Sequence, residues 1–342
     1  MEKRLETNGN GGKTDVGAWF ITYNTPDMWA NNFGNGRSID YRALMPDGSY
    51  GIPHSDDAEV VDFQLSKLAE AQIDFILFDI TNGGLTDKIP YGTNHNEWIV
   101  DNAEFTCQRI RLWNQSHDWK IRYAIAVGCY QAIRGYRYDK DGNMIREGIS
   151  IGLCAEWQAE ATWKRFVNDP VISQDYYCLD GKPLLILHDW GENVVTVPHG
   201  WNAYQGDRTY GERFTVRNGQ GGEAGTYGWQ TRYGTQVHPE VEVVCPGQNT
   251  HGGKVNIYRA GGKYYRNEWR TVLENPSPRI VMITTFNDYN EDSAIFPTDT
   301  SGCDNSYEEQ WYDETGELNA SLYFDITCEA IQKLRKKNGD CL

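Results

Sequence analysis

Residues 280–297 read Ile280-Val-Met-Ile-Thr-Thr-Phe-Asn-Asp-Tyr-Asn-Glu-Asp-Ser-Ala-Ile-Phe-Pro297. The stretch opens as a continuous apolar and β-branched run through Thr285, the pattern of a strand buried on both faces. It then gathers amides and carboxylates from Asn287 to Asp292. A hydrophobic strand ending in such a cluster is the layout of an active site at the carboxyl end of a barrel strand. Asp288 and Glu291 are the candidate pair. The plainer alternative is a solvated acidic loop after a core strand, so the flanking sequence has to decide.

Working outward, similar runs occur at 16–23, 73–79, 120–127, 182–188, 213–217, 224–229 and 241–245, giving eight strands with 280–285. Helical spacing separates several of them. Ser55 is placed to cap a helix whose first turn carries Asp56, Asp57 and Glu59, and whose apolar side is Ala58, Val61, Leu65 and Leu68. Further helices are expected over 98–113, 156–167 and 322–336. Turns are marked at Pro46-Asp-Gly-Ser49 and at Asp139-Lys-Asp-Gly-Asn143. The second starts like a calcium loop, but Met144 stands where that loop needs glycine, so it reads as a hairpin turn. Strands alternating with helices or long loops predict an α/β fold, a single (β/α)8 TIM barrel with long βα loops. Residues 1–14 read as a flexible leader and 15–342 as one catalytic domain. The helices between 190 and 240 are poorly marked.

The chain has 342 residues, 39% hydrophobic and 13% aromatic, with 12 Trp and 21 Tyr. That supports a core with aromatics left for a binding surface. A net charge of −16 makes nucleic acid and anionic membrane poor partners and favours a neutral or cationic ligand. No run approaches the roughly 18 apolar residues of a membrane span, so no membrane insertion is expected. No signal peptide is visible, and a removed export signal would fit a secreted, periplasmic or cell-surface protein. The eight cysteines form no C-x-x-C motif, and disulfides and buried thiols both fit them. The oligomeric state is open, with a monomer compatible.

In a barrel, residues just after each strand share one face. That gathers Tyr23, Asp79, Asn82, Tyr130, Asp189, Trp190, Trp229, Arg232, Asn249, Asn287, Asp288 and Glu291. The set has no Ser-His-Asp order and no H-E-x-x-H. His188 is the one histidine at a strand end, and a hydrogen-bonded structural role suits it. Gly219-Gln-Gly-Gly-Glu-Ala-Gly225 lacks the ending of a phosphate loop and reads as a flexible loop over the barrel mouth. No cofactor is expected, and no metal-ligand spacing is visible. Two carboxylates beside aromatic residues suit glycoside hydrolysis, in which one protonates the leaving oxygen and the other serves the anomeric side. Burial and mutual repulsion hold a proton on one of them near neutral pH.

The segment Asn287–Pro297 resembles N-E-W-x-E-G-T-x-I-E-P, which follows the last strand in glycoside hydrolase family 99. It also resembles the N-D-Y-G-E-S segment of family 71, the α-1,3-glucanases. Val16-Gly-Ala-Trp-Phe, Ile73-Asp-Phe, Asp180-Gly-Lys-Pro, Cys245-Pro-Gly and Tyr258-Arg-Ala-Gly-Gly-Lys-Tyr-Tyr with Trp269 match further family 99-like pieces in order. The resemblance runs from about residue 16 to 336. It implies a barrel that cleaves an α-linked polysaccharide or oligosaccharide of mannan or glucan type. It implies Asp288 as the carboxylate that assists attack through the sugar's own 2-hydroxyl, and Glu291 as general acid/base. Tyr23, Asp79, Asn82, Asp189, Trp190, Trp229, Arg259, Tyr264 and Asn287 are the candidate substrate contacts. The segment departs from family 99 at several positions. Asp288 is one methylene shorter than the family glutamate, Asp292 replaces glycine, and Phe296 replaces glutamate. The mannosidase substrate and the stereochemical outcome are therefore not carried over. The alternative is a barrel of the same fold that binds glycan, or assists surface-polysaccharide assembly, without cleaving it.

Overall fold

Seven of the eight apolar runs pair into one parallel sheet. The computed structural model describes residues 13–24, 42–83, 85, 97–128, 136–138, 144–146, 151–188, 212–219, 225–228, 237–248, 257–301 and 311–339. In chain order the elements are β1 (Asp15–Phe20), β2 (Arg42–Leu44), β3 (Tyr50–Gly51), α1 (Ala58–Glu70), β4 (Phe75–Ile80), α2 (Glu97–Ser116) and β5 (Arg122–Gly128). There follow β6 (Tyr136–Tyr138), β7 (Met144–Arg146), α3 (Ile151–Thr162), β8 (Cys178–Leu179), β9 (Lys182–His188), β10 (Thr215–Asn218) and β11 (Val241–Val244). The chain closes with α4 (Lys263–Glu274), β12 (Ile280–Ile283), β13 (Thr298–Asp299) and α5 (Leu322–Asn338).

The parallel strands run in the order β10-β9-β5-β4-β1-β12-β11, and β8 adds an antiparallel turn to β9. β1 lies between β4 and β12, with Ala18 aligned to Ile76 and to Ile283. All six residues of β1 and of β4 are buried, as a doubly covered parallel sheet requires.

The sheet is curled. Trp19 on β1 meets His188 on β9 edge-on with ring centroids 5.9 Å apart. Three strand spacings of about 4.8 Å would separate those strands if the sheet were flat. The Trp19 indole N–H also donates to the Tyr227 carbonyl at 2.6 Å, beyond the β10 edge. Gly17 makes room inside the curl. A Cβ there would lie 2.4 Å from the Phe75 ring and 2.6 Å from the Met282 sulfur.

Residues 225–228 stand between the two sheet edges. The Tyr227 N–H donates to the Asn218 carbonyl at 2.8 Å, and its hydroxyl donates to Glu240 at 3.1 Å. Arg217 on β10 grips the same Glu240 carboxylate through two bonds of 2.5 and 3.0 Å. The sixth expected strand, 224–229, is nevertheless not a strand over its described residues. Gly225 adopts φ +88, which breaks an extended run.

The helices pack their apolar stripes on the sheet, α1 through Val60, Val61, Leu65 and Leu68 and α2 through Ile99, Val100, Ala103, Cys107 and Ile110. The cap of α1 is Asp57, not Ser55. Its carboxylate accepts the N–H groups of Glu59 and Val60, while the Ser55 hydroxyl accepts from the Asn24 backbone at 3.2 Å. The expected turn at 46–49 joins β2 to β3, which pair with β13 in a small antiparallel sheet. β6 and β7 form the expected hairpin. Thr14, assigned to the leader, belongs to the folded body. It is 1% exposed, and its carbonyl accepts from Arg335 at 2.6 Å. Helix α4 was not expected from sequence. Among the described residues no helix is long and apolar enough to cross a membrane, and Cys107, Cys178, Cys245 and Cys328 are free thiols.

Candidate active site

Parallel pairing brings the carboxyl ends of β1, β4 and β12 to one edge, and with them residues 21–24, 79–82 and 284–292. Asn287 fixes two of these ends together. Its side-chain oxygen accepts the Ile21 N–H at 2.7 Å, and its amide donates to the Ile21 carbonyl at 3.1 Å. Asn287 was expected to meet sugar. At 1% exposure it instead extends the β1–β12 ladder with its side chain.

The loop after β12 closes on itself. The Thr285 N–H donates to the Ser293 carbonyl at 2.9 Å, and Ser293 and Ala294 both donate to the Asp288 carbonyl at 3.1 Å. The Asp288 N–H donates to the Thr285 hydroxyl at 2.9 Å. These bonds hold the Asp288 side chain where three donors converge on it. Its Oδ1 accepts the N–H groups of Asn290 at 2.9 Å and Glu291 at 3.0 Å, and its Oδ2 accepts the Tyr23 hydroxyl at 3.2 Å. The turn so formed carries Glu291, which is half-buried. Glu291 Oε2 accepts the side-chain amide of Gln248 at 2.8 Å.

Asp79, at the end of β4, is 7% exposed and accepts the N–H and hydroxyl of Thr81 on Oδ1. It follows the Phe20–Phe78 register pair directly, which puts it on the sheet edge that carries residues 21–24. Burial pushes the Tyr23 phenol well above its ordinary range, and the charges of Asp288, Asp79 and Glu291 push the same way. Burial likewise pushes the Asp288 carboxyl well above the usual carboxylate range. The Glu291 charge adds to this, as does Asp79, against the lowering by the Glu291 N–H and the Tyr23 hydroxyl. Burial raises Asp79 too, against its two Thr81 bonds. Among the described residues no cation pairs with Asp79 or Asp288. A buried carboxylate without a counter-ion has a high proton affinity, and such groups concentrate where proton transfer is done.

The other expected contacts divide. Asn82 is exposed in the turn after β4, and Tyr264 is half-buried in the first turn of α4. Arg259 was expected to meet sugar. It is fully buried. Its guanidinium donates to the carbonyls of Asp292 and Ala294 at 2.9 Å each, lies 3.4 Å from the Asp292 carboxylate, and stacks over Trp311 and Tyr323. It braces the β12 loop from beneath. His188 is buried against Trp19, and burial pushes its pKa down to about 4, so it is neutral. Asp189, Trp190, Trp229, Tyr130, Arg232 and Asn249 lie outside the described residues, as does most of the Gly219–Gly225 loop. Gln248 was missed. A single amide carries no pattern, and its one signal was its place directly after Cys245-Pro-Gly247. Among the described residues no three His, Cys, Asp or Glu side chains are grouped to hold a metal ion.

No family model matches the chain, and no curated protein matches it. Two solved structures of a GH99 endo-alpha-mannosidase from Bacteroides thetaiotaomicron are similar to it. One superposes with a TM-score of 0.54 at 13% identity, covering 95% of this chain and 99% of that one. The other, a complex with bis-tris-propane, gives 0.57 at 13% identity and covers 96% of this chain and 100% of that one. The fold is GH99-like.

Proposed function

We propose that this protein is a glycoside hydrolase acting on an α-linked glycan of mannan or glucan type. The observation that carries the proposal is a nearly buried carboxylate, Asp288, raised in proton affinity beside Glu291 and Asp79 at the carboxyl end of β12. The GH99-like fold supports it, since the similar solved structures are of an endo-alpha-mannosidase. We also take the curled sheet to be a (β/α)8 barrel, with residues 225–228 at the place of its sixth strand.

The roles follow from exposure and bonding. Glu291 is half-buried, more exposed than Asp288, and it serves as general acid. Its proton passes to the glycosidic oxygen as the bond to the anomeric carbon breaks, and that oxygen keeps the bonding pair. Asp288 serves as base. It takes a proton from the attacking hydroxyl, either water or the sugar's own 2-hydroxyl. Its raised proton affinity makes it the stronger base in its ionised form. Among the described residues three donors occupy three of roughly four acceptor positions of a carboxylate, and the remaining one, on Oδ2, is assigned to the substrate. Tyr23, Asp79, Asn82, Tyr264, Asp189, Trp190 and Trp229 are the proposed sugar contacts.

The second reading is a barrel that binds glycan without cleaving it. The observation in its favour is the 1% exposure of Asp288. Product release from a panel of α-mannans, α-glucans and host or algal glycans separates the two, with wild type run beside Glu291→Gln. Cleavage that disappears in the variant is the expected result. Binding of a glycan with no cleavage by the wild type favours the second reading.

A further inference from the structure

The strap that follows β11 reaches the β12 loop at Gln248. Gln248 is fixed there by its backbone, which exchanges bonds of 3.1 and 2.9 Å with Ile257. Its neighbour Gly247 lies against the stem of Arg259. A Cβ at Gly247 would come within 2.2 Å of Arg259 Cγ, so only glycine lets the strap approach this closely. The head of Arg259 holds the other side, through the carbonyls of Asp292 and Ala294. One buried side chain therefore sets the distance between the strap and the loop, and across that gap the Gln248 amide reaches Glu291 Oε2 at 2.8 Å.

We propose that Gln248 is a positioning residue for Glu291. Its amide holds the carboxyl group toward the site and stabilises the negative charge that appears there as the proton leaves. The proposal rests on the hydrolase reading above. A donor fixed before reaction at an atom that becomes charged lowers the barrier without reorganisation, and removing one such donor costs about 10²–10³ in rate at an oxyanion. Gln248 touches the acid rather than the substrate, so a smaller loss of about 10–100-fold in kcat with little change in KM is expected.

The test compares wild type, Gln248→Leu and Gln248→Glu by NMR titration of glutamate labelled with carbon-13 at Cδ. The Glu291 signal is assigned by its absence in Glu291→Gln. Loss of the amide donor disfavours the ionised form, so the Glu291 midpoint is expected to move to higher pH in Gln248→Leu. It moves further in Gln248→Glu, where a second negative charge faces the first. The basic limb of the pH–rate profile moves with it. A merely structural role lowers the rate at every pH and leaves the midpoint in place. An unmoved midpoint in both folded variants overturns the proposal. The titration needs no turnover, so the two ideas fail separately. Loss of cleavage in Glu291→Gln with an unmoved midpoint removes Gln248 and keeps the hydrolase. A midpoint that moves in the variants, with no glycan cleaved by the wild type, keeps the Gln248–Glu291 contact and removes the hydrolase.

Discussion

Asp288 accepts three hydrogen bonds and still holds its proton above the usual carboxylate range. Burial and the nearby charges of Glu291 and Asp79 outweigh the donors. Among the described residues Tyr23 supplies the one side-chain donor, and it opposes the rise. For a base that must be ionised, activity is lost as pH falls through its pKa. The acidic limb of kcat/KM is therefore expected above the ordinary carboxylate range, and Tyr23→Phe moves it higher. A hydrogen bond to a charged group is worth about 1.5–3 kcal/mol, and this one is long, so a shift of about one pH unit is expected. If Tyr23 served only to touch sugar, the variant would raise KM and leave the limb in place. Asp288, Glu291, Tyr23 and Asp79 were legible in the sequence because each follows or ends an apolar run. The burial of Arg259 was not legible. It lies in a polar segment, and the rings that cover it, Trp311 and Tyr323, come from far along the chain.

Strands buried on both faces announce themselves, and for that reason seven of the eight expected here pair in the parallel sheet. The missing one is glycine-rich, and over residues 225–228 it turns instead. Helix α4 shows the opposite problem. Its sequence, KYYRNEWRTVLE, is mostly polar, and its buried apolar residues reduce to Tyr265, Trp269 and Val272 on one narrow stripe. It starts after Gly262 in the left-handed region, with no side-chain cap to mark it. That stripe still fixes the helix. Trp269 is 2% exposed and meets Tyr265 at 6.2 Å between ring centroids. Trp269→Ala is expected to cost about 3–5 kcal/mol, the usual loss for a large buried aromatic. Urea denaturation checks this, and a change below about 1 kcal/mol would mean that α4 does not depend on its stripe.

The two ends of the folded chain are tied together at the amino end of the sheet, opposite the site. Arg335 on α5 donates to the Thr14 carbonyl at 2.6 Å, the Gln72 carbonyl at 3.0 Å and the Asp74 carboxylate at 2.5 Å. Asp74 in turn accepts the Val16 N–H at 2.7 Å. Removing one member of a buried ion pair leaves the other unpaired and costs about 3–5 kcal/mol. Lys13 stands 3.5 Å from Asp74 and offsets part of that, so Arg335→Ala is expected to cost about 3 kcal/mol by chemical denaturation. A loss within about 0.5 kcal/mol of zero would show that the closure needs no ion pair. At this scale the succession of the seven parallel strands was legible and the contacts across the curl were not, because Trp19, His188 and Tyr227 meet only once the sheet bends. The carboxylate pair on the opposite face is tested most directly by product release from α-mannan, with wild type and Asp288→Asn measured side by side. We expect release by the wild type, and a loss of about 10²–10⁴-fold in kcat in a variant that still binds the glycan. Equal rates in the two proteins would contradict the assignment of glycan cleavage to this pair.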